Sequence, residues 1–449
     1  MSVKGRDSFK SSMGVIFALV GSAIGLGNLW RFPYLVGTNG GAAFIVIYLA
    51  CVLLLCMPIM IAEFVIGRRS QANAFGAFRK LAPKTAWKEA GLLAVITSVV
   101  LLSFYSVVGG WTIDYFLKAL GFVFKPETDF SAHFANMVSS TWENLFFTIL
   151  FLVITGAVIW AGVRNGIERT NKYLMTTLAF LIIFIAIYSM MLPGAKEGLR
   201  FLFKPDFSKV TFSTALAALG QGFLSLSVGC GCVITYASYA NKGDNLLKTT
   251  TTTALADTSF ALIAGMAILP AVFSAGMSPH EGAGLAFVSL PYIFTTMRFG
   301  SIISIIFYFI LFAAALSSSI SIMEPIVAFI KEEFKTSRFR AMLTSFIIVI
   351  AFAVLCALSF GLISGWKIFG KSIFDFMDYI SSNILMAVGA MLVSIFAGWK
   401  ISEKDFFDEL TSAGKYKIPR LVLKTIRLFV RYVAPIVVAI IIINSLMGN

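Results

Sequence analysis

About eleven apolar runs fill most of this 449-residue chain, lying roughly at residues 12–36, 42–67, 90–120, 143–162, 170–192, 213–239, 249–275, 300–330, 341–363, 373–399 and 421–446. Each comes near or exceeds the roughly 20 apolar residues that a helix needs to cross the hydrocarbon of a bilayer. With 58% hydrophobic residues, 13% charged residues and 44 Phe, a soluble globular domain is excluded. The pattern predicts an all-α polytopic membrane protein of about 11 transmembrane helices, with residues 1–449 forming a single membrane domain.

Two of the runs are interrupted by small, flexible residues: Gly21-Ser22-Ala23-Ile24-Gly25-Leu26-Gly27-Asn28 in the first, and Ser225-Leu226-Ser227-Val228-Gly229-Cys230-Gly231 in the sixth. Lipid cannot hydrogen-bond an opened backbone, so such a break survives at bilayer depth only where the freed groups line a cavity inside the protein. Glycine-rich runs also serve close helix packing. Two breaks that each open a set of five spans, both carrying polar residues, favour a ligand site. An odd number of crossings inverts the second set, which gives repeats of opposite topology over about 12–192 and 213–399, with an extra helix at about 421–446. A half-helix beginning near Gly27 would offer free amides to an anionic group, and half-helix C-termini would offer carbonyls to a cation. An amino-acid carboxylate together with Na+ satisfies both.

Basic residues collect on alternate connections, including Arg68, Arg69, Arg79, Lys80 and Lys84, then Arg164, Arg169 and Lys172, and later Lys331, Lys335, Arg338 and Arg340. Those connections are expected on the cytoplasmic side, with the N-terminus cytoplasmic and the C-terminal tail outside. The connection with Lys196, Arg200, Lys204 and Lys209 runs against this bias. The net charge of +14 follows from the positive-inside bias and anionic lipid headgroups, so no nucleic-acid partner is expected. The first run lacks a cleavage site and is expected to stay in the protein. The five cysteines, Cys51, Cys56, Cys230, Cys232 and Cys356, fall in apolar segments without a metal or disulfide pattern and read as packing residues. His133 and His280 stand isolated and read as solvated loop residues, and no hydrolase or metalloprotease motif is present, so an enzyme is not expected.

Asp257, inside the apolar stretch Thr253 to Leu262, is the most informative acid, because a charge at bilayer depth is costly and marks function by default. A proton-carrying or merely interhelical role is the alternative. Ser317 and Ser321 lie one helical turn apart, so they share a face and can serve either a ligand or a neighbouring helix.

The stretch Gly25-Leu26-Gly27-Asn28-Leu29-Trp30-Arg31-Phe32-Pro33, followed by Asn39-Gly40-Gly41-Ala42-Ala43-Phe44, resembles the first-helix signature of the neurotransmitter:sodium symporter family. Glu63 with Gly67-Arg68, Gly166-Ile167-Glu168-Arg169, Gln221, Ile234-Thr235-Tyr236-Ala237-Ser238-Tyr239 and Ser317-Ser318-Ser319-Ile320-Ser321-Ile322-Met323-Glu324-Pro325 extend the similarity over essentially the whole chain. The resemblance implies the five-plus-five inverted repeat of the bacterial leucine transporter, with discontinuous helices 1 and 6. That fold is itself a reference case for inverted-repeat transporters.

By position, the resemblance implies two sodium sites. One takes the carbonyls of Gly21, Ile24 and Ala314 and the hydroxyls of Ser317 and Ser318; the other takes the Ala23 carbonyl, Asn28, Ser225, Asp257 and a substrate carboxylate oxygen. Oxygen donors suit a hard cation. The substrate carboxylate would lie against Leu26, Gly27 and Tyr105, its amino group near carbonyls of Ala23, Leu224 and Ser227. The side chain would enter a pocket lined by Ser22, Leu101, Ser227, Cys230, Ser318 and Ile322, and Ser225 would border the substrate as well as the ion. Arg31 with Asp378 matches the family's outer gate, and Arg6 with Glu332 its inner ionic pair, near Phe9 and Tyr239.

Animal members bind chloride at positions matching Tyr48, Gln221, Ser225 and a serine where this chain has Ala261. With Asp257 supplying a fixed negative charge, no chloride is expected. Leu224 and Cys230 stand where the family has larger residues, which enlarges the pocket and points to large hydrophobic or aromatic L-amino acids. Thr176 replaces a proline of the fifth-span unwinding motif, while Gly166 of that motif remains. The expected activity is sodium-coupled symport by alternating access in a bacterial inner membrane. No partner beyond a small amino acid and membrane lipid is expected, and no obligate protein partner. A proton-coupled transporter using Asp257 or Glu63, or a sensor that binds without transport, is the alternative.

Overall fold

A computed structural model describes residues 7–277 and 284–446. Among these, nine helices are long and apolar enough to cross a membrane: Ala42–Ser70, Lys88–Leu120, Thr141–Trp160, Val163–Met190, Leu246–Ser274, Gly300–Glu333, Arg338–Leu358, Ile373–Lys400 and Arg420–Ile443. A tenth crossing is the pair Ser12–Ala23 and Gly27–Thr38, bent by 49°. We number the helices used below α1 (Ser12–Ala23), α2 (Gly27–Thr38), α3 (Ala42–Ser70), α4 (Lys88–Leu120), α5 (Val163–Met190), α6 (Phe212–Ser225), α7 (Cys232–Tyr239), α8 (Leu246–Ser274), α9 (Gly300–Glu333) and α10 (Ile373–Lys400).

The two short helices α6 and α7 complete an eleventh crossing. Helix α6 packs on the first part of α3 and α7 on its last part, so the segment 212–239 runs beside a full span and in the same direction. The architecture is that of the leucine-transporter-like fold, an all-helical bundle with discontinuous first and sixth spans. Large apolar side chains such as Phe180, Trp142 and Ile347 face outward from the bundle. In water they would be an adhesive surface, whereas lipid is their natural solvent.

The first break is narrower than the sequence suggests. Ser11 caps α1 by accepting from the Gly14 amide, the helix runs to Ala23, and only residues 24 and 25 are bent before helical backbone resumes at Leu26 and α2 opens with a wide, π-type turn at Gly27–Arg31. The second break spans residues 226–231, with φ of +52° at Ser227, +88° at Gly229 and +79° at Gly231. Gly229 is required there twice over, since a Cβ would also meet the Met386 carbonyl oxygen at 2.1 Å. Helix α5 passes Thr176 without interruption, its hydroxyl donating to the Lys172 carbonyl at 2.8 Å, and loosens only in the wide turn Val163–Glu168.

His133 corrects the loop expectation. It lies in a short helix, Phe130–Ser139, half-buried, with its ring edge-on to Tyr115 and Phe124 at 5.9 and 6.0 Å. His280 falls outside the described residues.

Candidate substrate and cation site

Amides freed by the first break find side chains. The Gly25 amide donates to Asn28 Oδ1 at 3.2 Å and the Leu26 amide to the Tyr105 hydroxyl at 3.4 Å, so residues from α2 and α4 hold the opened backbone. Asn28 uses its other end on Asp257 of α8, donating from Nδ2 to Oδ1 at 2.7 Å and to the carbonyl at 3.2 Å. Ser225, the last residue of α6, donates to both Asp257 oxygens at 2.9 and 2.7 Å, and the Tyr48 hydroxyl lies 3.5 Å from Ser225 Oγ and from Asp257 Oδ2. Asn28, Ser225 and Asp257, far apart in sequence, thus meet at one point that no solvent reaches.

The second oxygen cluster assembles where α1 meets α9. Ser317 Oγ lies 3.3 Å from the Ile24 carbonyl and 2.9 Å from the Ala314 carbonyl. Ser318 Oγ lies 3.5, 3.3 and 3.3 Å from the carbonyls of Gly21, Ser22 and Ile24. Two hydroxyls and at least three carbonyls converge at a helix C-terminus, whose partial negative charge favours a cation, and all of them are hard donors. The residues present therefore fit Na+.

Between the clusters lies a narrow cavity whose walls carry no charged side chain. Eleven of the twelve substrate residues expected from the sequence line it: Ser22, Ala23, Leu26, Gly27, Leu101, Tyr105, Leu224, Ser225, Ser227, Ser318 and Ile322. Cys230 is the exception. The backbone at Ser227 and Gly229 turns its thiol away, onto the Ser227 carbonyl at 3.2 Å and the Cys232 sulfur at 3.3 Å. Met386 of α10 lines the cavity instead, along with Gly25 and Asn28. Ser227 fastens the two breaks together by donating to the Ser22 carbonyl at 3.0 Å.

Above the cavity a vestibule of about 780 Å³ is lined by Trp30, Arg31, Phe104, Val108, Phe374 and Asp378 among others. Leu26, Gly27, Tyr105 and Leu224 border both spaces, so they form the partition between them. Arg31 and Asp378 face this shared vestibule without an ion pair, Asp378 Oδ1 instead accepting from Ser382 at 2.9 Å.

The opposite, basic end is shut. Phe9 packs edge-on to Tyr236 and Tyr239, and Tyr239 donates to Glu324 at 2.8 Å. Arg338 grips the same carboxylate through two bonds at 3.0 and 2.7 Å, and Asp7 pairs with Lys331 at 2.7 Å. The inner ionic pair expected between Arg6 and Glu332 includes a residue outside the described ones; Glu332 accepts from the amide and side chain of Asn73 at 2.8 and 3.0 Å. The latch through Glu324 and Arg338 was not foreseen, although an acid inside an apolar run is the signal that would have found it.

Residues 6–129 and 124–449 match the sodium:neurotransmitter symporter family. The chain belongs to that family. Members of this symporter family are secondary transporters, not enzymes, so the oxygen clusters belong to a sodium-coupled membrane transporter. The chain is 38% identical over 398 residues to the uncharacterized sodium-dependent transporter YhdH of Bacillus subtilis (strain 168), covering 88% of each chain. It is 35% identical over 456 residues to an uncharacterized sodium-dependent transporter of Haemophilus influenzae, covering 99% of each. Among solved structures, MhsT in complex with L-phenylalanine is 42% identical and superposes with a TM-score of 0.92 over 98% of this symporter and 100% of that chain.

Proposed function

We propose that the chain is a chloride-independent symporter that couples sodium, at two sites, to uptake of large neutral hydrophobic or aromatic L-amino acids. One observation carries this reading: a fully buried carboxylate, Asp257, stands beside a cavity whose own walls are uncharged. A sodium ion against Asp257 and Asn28 would face the substrate carboxylate, and the oxygens of the breaks would receive its ammonium group. An uncharged wall excludes acidic and basic side chains, because a buried charge without a partner is costly. The relative MhsT, solved with L-phenylalanine, supports a large apolar substrate.

In this reading the chain sits in a bacterial inner membrane with its N-terminus and basic end in the cytoplasm, and residues 12–192 and 213–399 are the inverted repeats. Sodium enters by the open vestibule and binds the first break, and the substrate carboxylate completes the inner face of that site. Closure of Arg31 onto Asp378 is then coupled to opening of the Glu324 latch. The ligands drive this change only through unequal affinity for the two states.

Binding of a twenty-amino-acid panel to purified protein in sodium or choline, followed by uptake into vesicles, tests the reading. Sodium-dependent binding and uptake of phenylalanine, tyrosine or leucine is expected. A preference confined to glycine or alanine, or binding without uptake, refutes it. A second reading rests on Glu63, whose Oε1 accepts from the Gly229 amide at 2.8 Å while its buried Oε2 has no partner. A proton could serve that oxygen, and uptake driven by a pH gradient in sodium-free buffer would establish proton coupling.

A further inference from the structure

One residue of helix α10, Met386, lines the substrate cavity, and its surroundings connect the cavity to the outer gate. The Met386 backbone cannot retreat. A Cβ on Gly229 would lie 2.1 Å from the Met386 carbonyl oxygen, and a Cβ on Gly389 would lie 2.3 Å from the Gly229 carbonyl oxygen. Two glycines facing each other thus bring the second break and α10 into direct backbone contact. On its other side Gly229 is tied to Glu63. Whatever the substrate does at this point, the Met386 side chain or the part of α10 above it must absorb the displacement.

The part above is built to give. Directly before Met386, residues Ile380–Leu385 form a wide π-type turn of sequence Ile-Ser-Ser-Asn-Ile-Leu. Its polar side chains bond back to the preceding turn, Ser381 to the Met377 carbonyl at 2.7 Å, Ser382 to Asp378 Oδ1 at 2.9 Å and Asn383 to the Tyr379 carbonyl at 3.2 Å. Such turns interrupt the regular ladder and concentrate at functional hinges. Beyond the turn stand Asp378 and Phe374, both on the vestibule wall, with Asp378 facing but not paired to Arg31. Methionine at the lower end is unbranched and adapts its shape to what it touches.

We infer that Met386 is a specificity-determining residue that reads the bulk of the substrate side chain and, through the wide turn above it, sets whether Asp378 closes on Arg31. This rests on the amino-acid reading of the cavity given above. A substrate large enough to press on Met386 tilts the upper part of α10 and completes the gate; a small one binds without closing it. Neither Leu224 nor Cys230 can do this, since Leu224 belongs to the partition and Cys230 is turned out of the cavity.

The test uses the full-length protein carrying Met386→Ala, Met386→Leu or Met386→Phe, each with a second substitution, Tyr34→Cys, at a partly exposed position of the vestibule wall. Two readouts are taken in sodium: competition by an amino-acid panel and the rate at which a membrane-impermeant maleimide labels position 34. One methylene in a closed apolar pocket is worth about tenfold or more in discrimination. Met386→Ala is expected to shift the ratio of tryptophan to alanine affinity upward by about tenfold, Met386→Phe to shift it downward by a similar factor, and Met386→Leu to leave it close to the parent. At saturating substrate, protection of position 34 in Met386→Ala should require a larger side chain than in the parent. An unchanged panel in variants that still bind in sodium overturns the inference alone, as does protection that follows occupancy identically in every variant. A parent protein that binds no amino acid in sodium overturns both the inference and the reading beneath it.

Discussion

Replacing Asp257 with Asn removes one charge and almost nothing else, so it isolates what the buried carboxylate does. The side chain accepts from Asn28 Nδ2 at 2.7 Å and from Ser225 Oγ at 2.9 and 2.7 Å. An amide oxygen can keep the Asn28 bond, and the new Nδ2 can donate to the Ser225 hydroxyl, which accepts as well as donates. Hydrogen bonds to a charged group are worth about 1.5–3 kcal/mol against about 0.5–1.5 for neutral ones, so two weakened bonds cost the fold about 2 kcal/mol. The effect on sodium is separate. A unit charge ~4 Å from the ion contributes about 1 kcal/mol in a water-like medium and about 4 kcal/mol at an effective dielectric near 20. Half-saturating sodium should therefore rise between about fivefold and a thousandfold.

Binding of a labelled hydrophobic amino acid, titrated with sodium chloride or sodium gluconate, measures this directly. The parent protein should show the same sodium curve with either anion. That expectation follows from the arrangement around the acid: Tyr48 and Ser225 already face Asp257, Ala261 offers no hydroxyl, and Gln221 points its Nε2 to the Gly27 carbonyl at 3.0 Å. In Asp257→Asn with Ala261→Ser, chloride should recover part of the lost sodium affinity and gluconate none. A parent whose binding falls severalfold in gluconate refutes the reasoning, and so does an Asp257→Asn variant with an unshifted sodium curve.

Gly229→Ala should lower stability by about 2–5 kcal/mol, combining left-handed strain of about 1–2 kcal/mol with overpacking of about 1–3 against the Met386 carbonyl. Gly220→Ala, where a Cβ would meet nothing within 4 Å, is the control, and thermal unfolding in detergent separates the two. Glu324→Gln removes one partner of a pair in which the acid is fully buried, a loss of about 3–5 kcal/mol to the shut basic end. It should speed hydrogen exchange in α1 by at least tenfold, and unchanged exchange would show that the latch does not hold that end closed. Burial and the nearby Lys118 push the His133 imidazole below its usual pKa, opposed by Glu143. The unfolded chain then binds more protons than the folded one, so the stabilisation is complete above the ordinary imidazole pKa and is lost as pH falls through the lower folded value. His133→Phe keeps the ring contacts and should lose less thermal stability than the parent between pH 7.5 and 5.5; equal losses would exclude this contribution.

Much of the fold was legible because lipid leaves the backbone so few options. Apolar runs mark crossings, and glycine with polar neighbours marks where a crossing opens, which placed the breaks at residues 24–25 and 226–231 within a few positions. Asp257, Asn28 and Ser225 could be grouped because an acid at bilayer depth needs partners. Directions after a break were a different matter. Helical phase fixes where a side chain points only while the helix continues, and positive φ at Ser227 and Gly229 resets it, which is why Cys230 was expected in the cavity and is not there. Met386 carried no signal at all, being one apolar residue in an apolar span. His133 was misjudged because a short polar-flanked helix outside the membrane has no hydropathy contrast to reveal it.

The shut end and the open end together set the scale of the work that ligands must do. In the proposed cycle, opening the basic end would break the Glu324 pair with Arg338 and the Asp7 pair with Lys331, and would withdraw the Lys10 amide from Glu168, to which it donates at 2.8 Å. Reversing a two-state population from 1:99 to 99:1 takes about 5.5 kcal/mol of differential affinity, comparable to breaking one buried pair. No single contact in the cavity supplies that much. In the proposed function, sodium at Asp257 and a carboxylate beside it would supply it jointly, because each would lower the cost of burying the other when the gate closes. Substrate without sodium should therefore leave the vestibule open, and sodium without substrate should leave Asp378 bonded to Ser382 and away from Arg31. Only the two together make closure of one end worth the opening of the other.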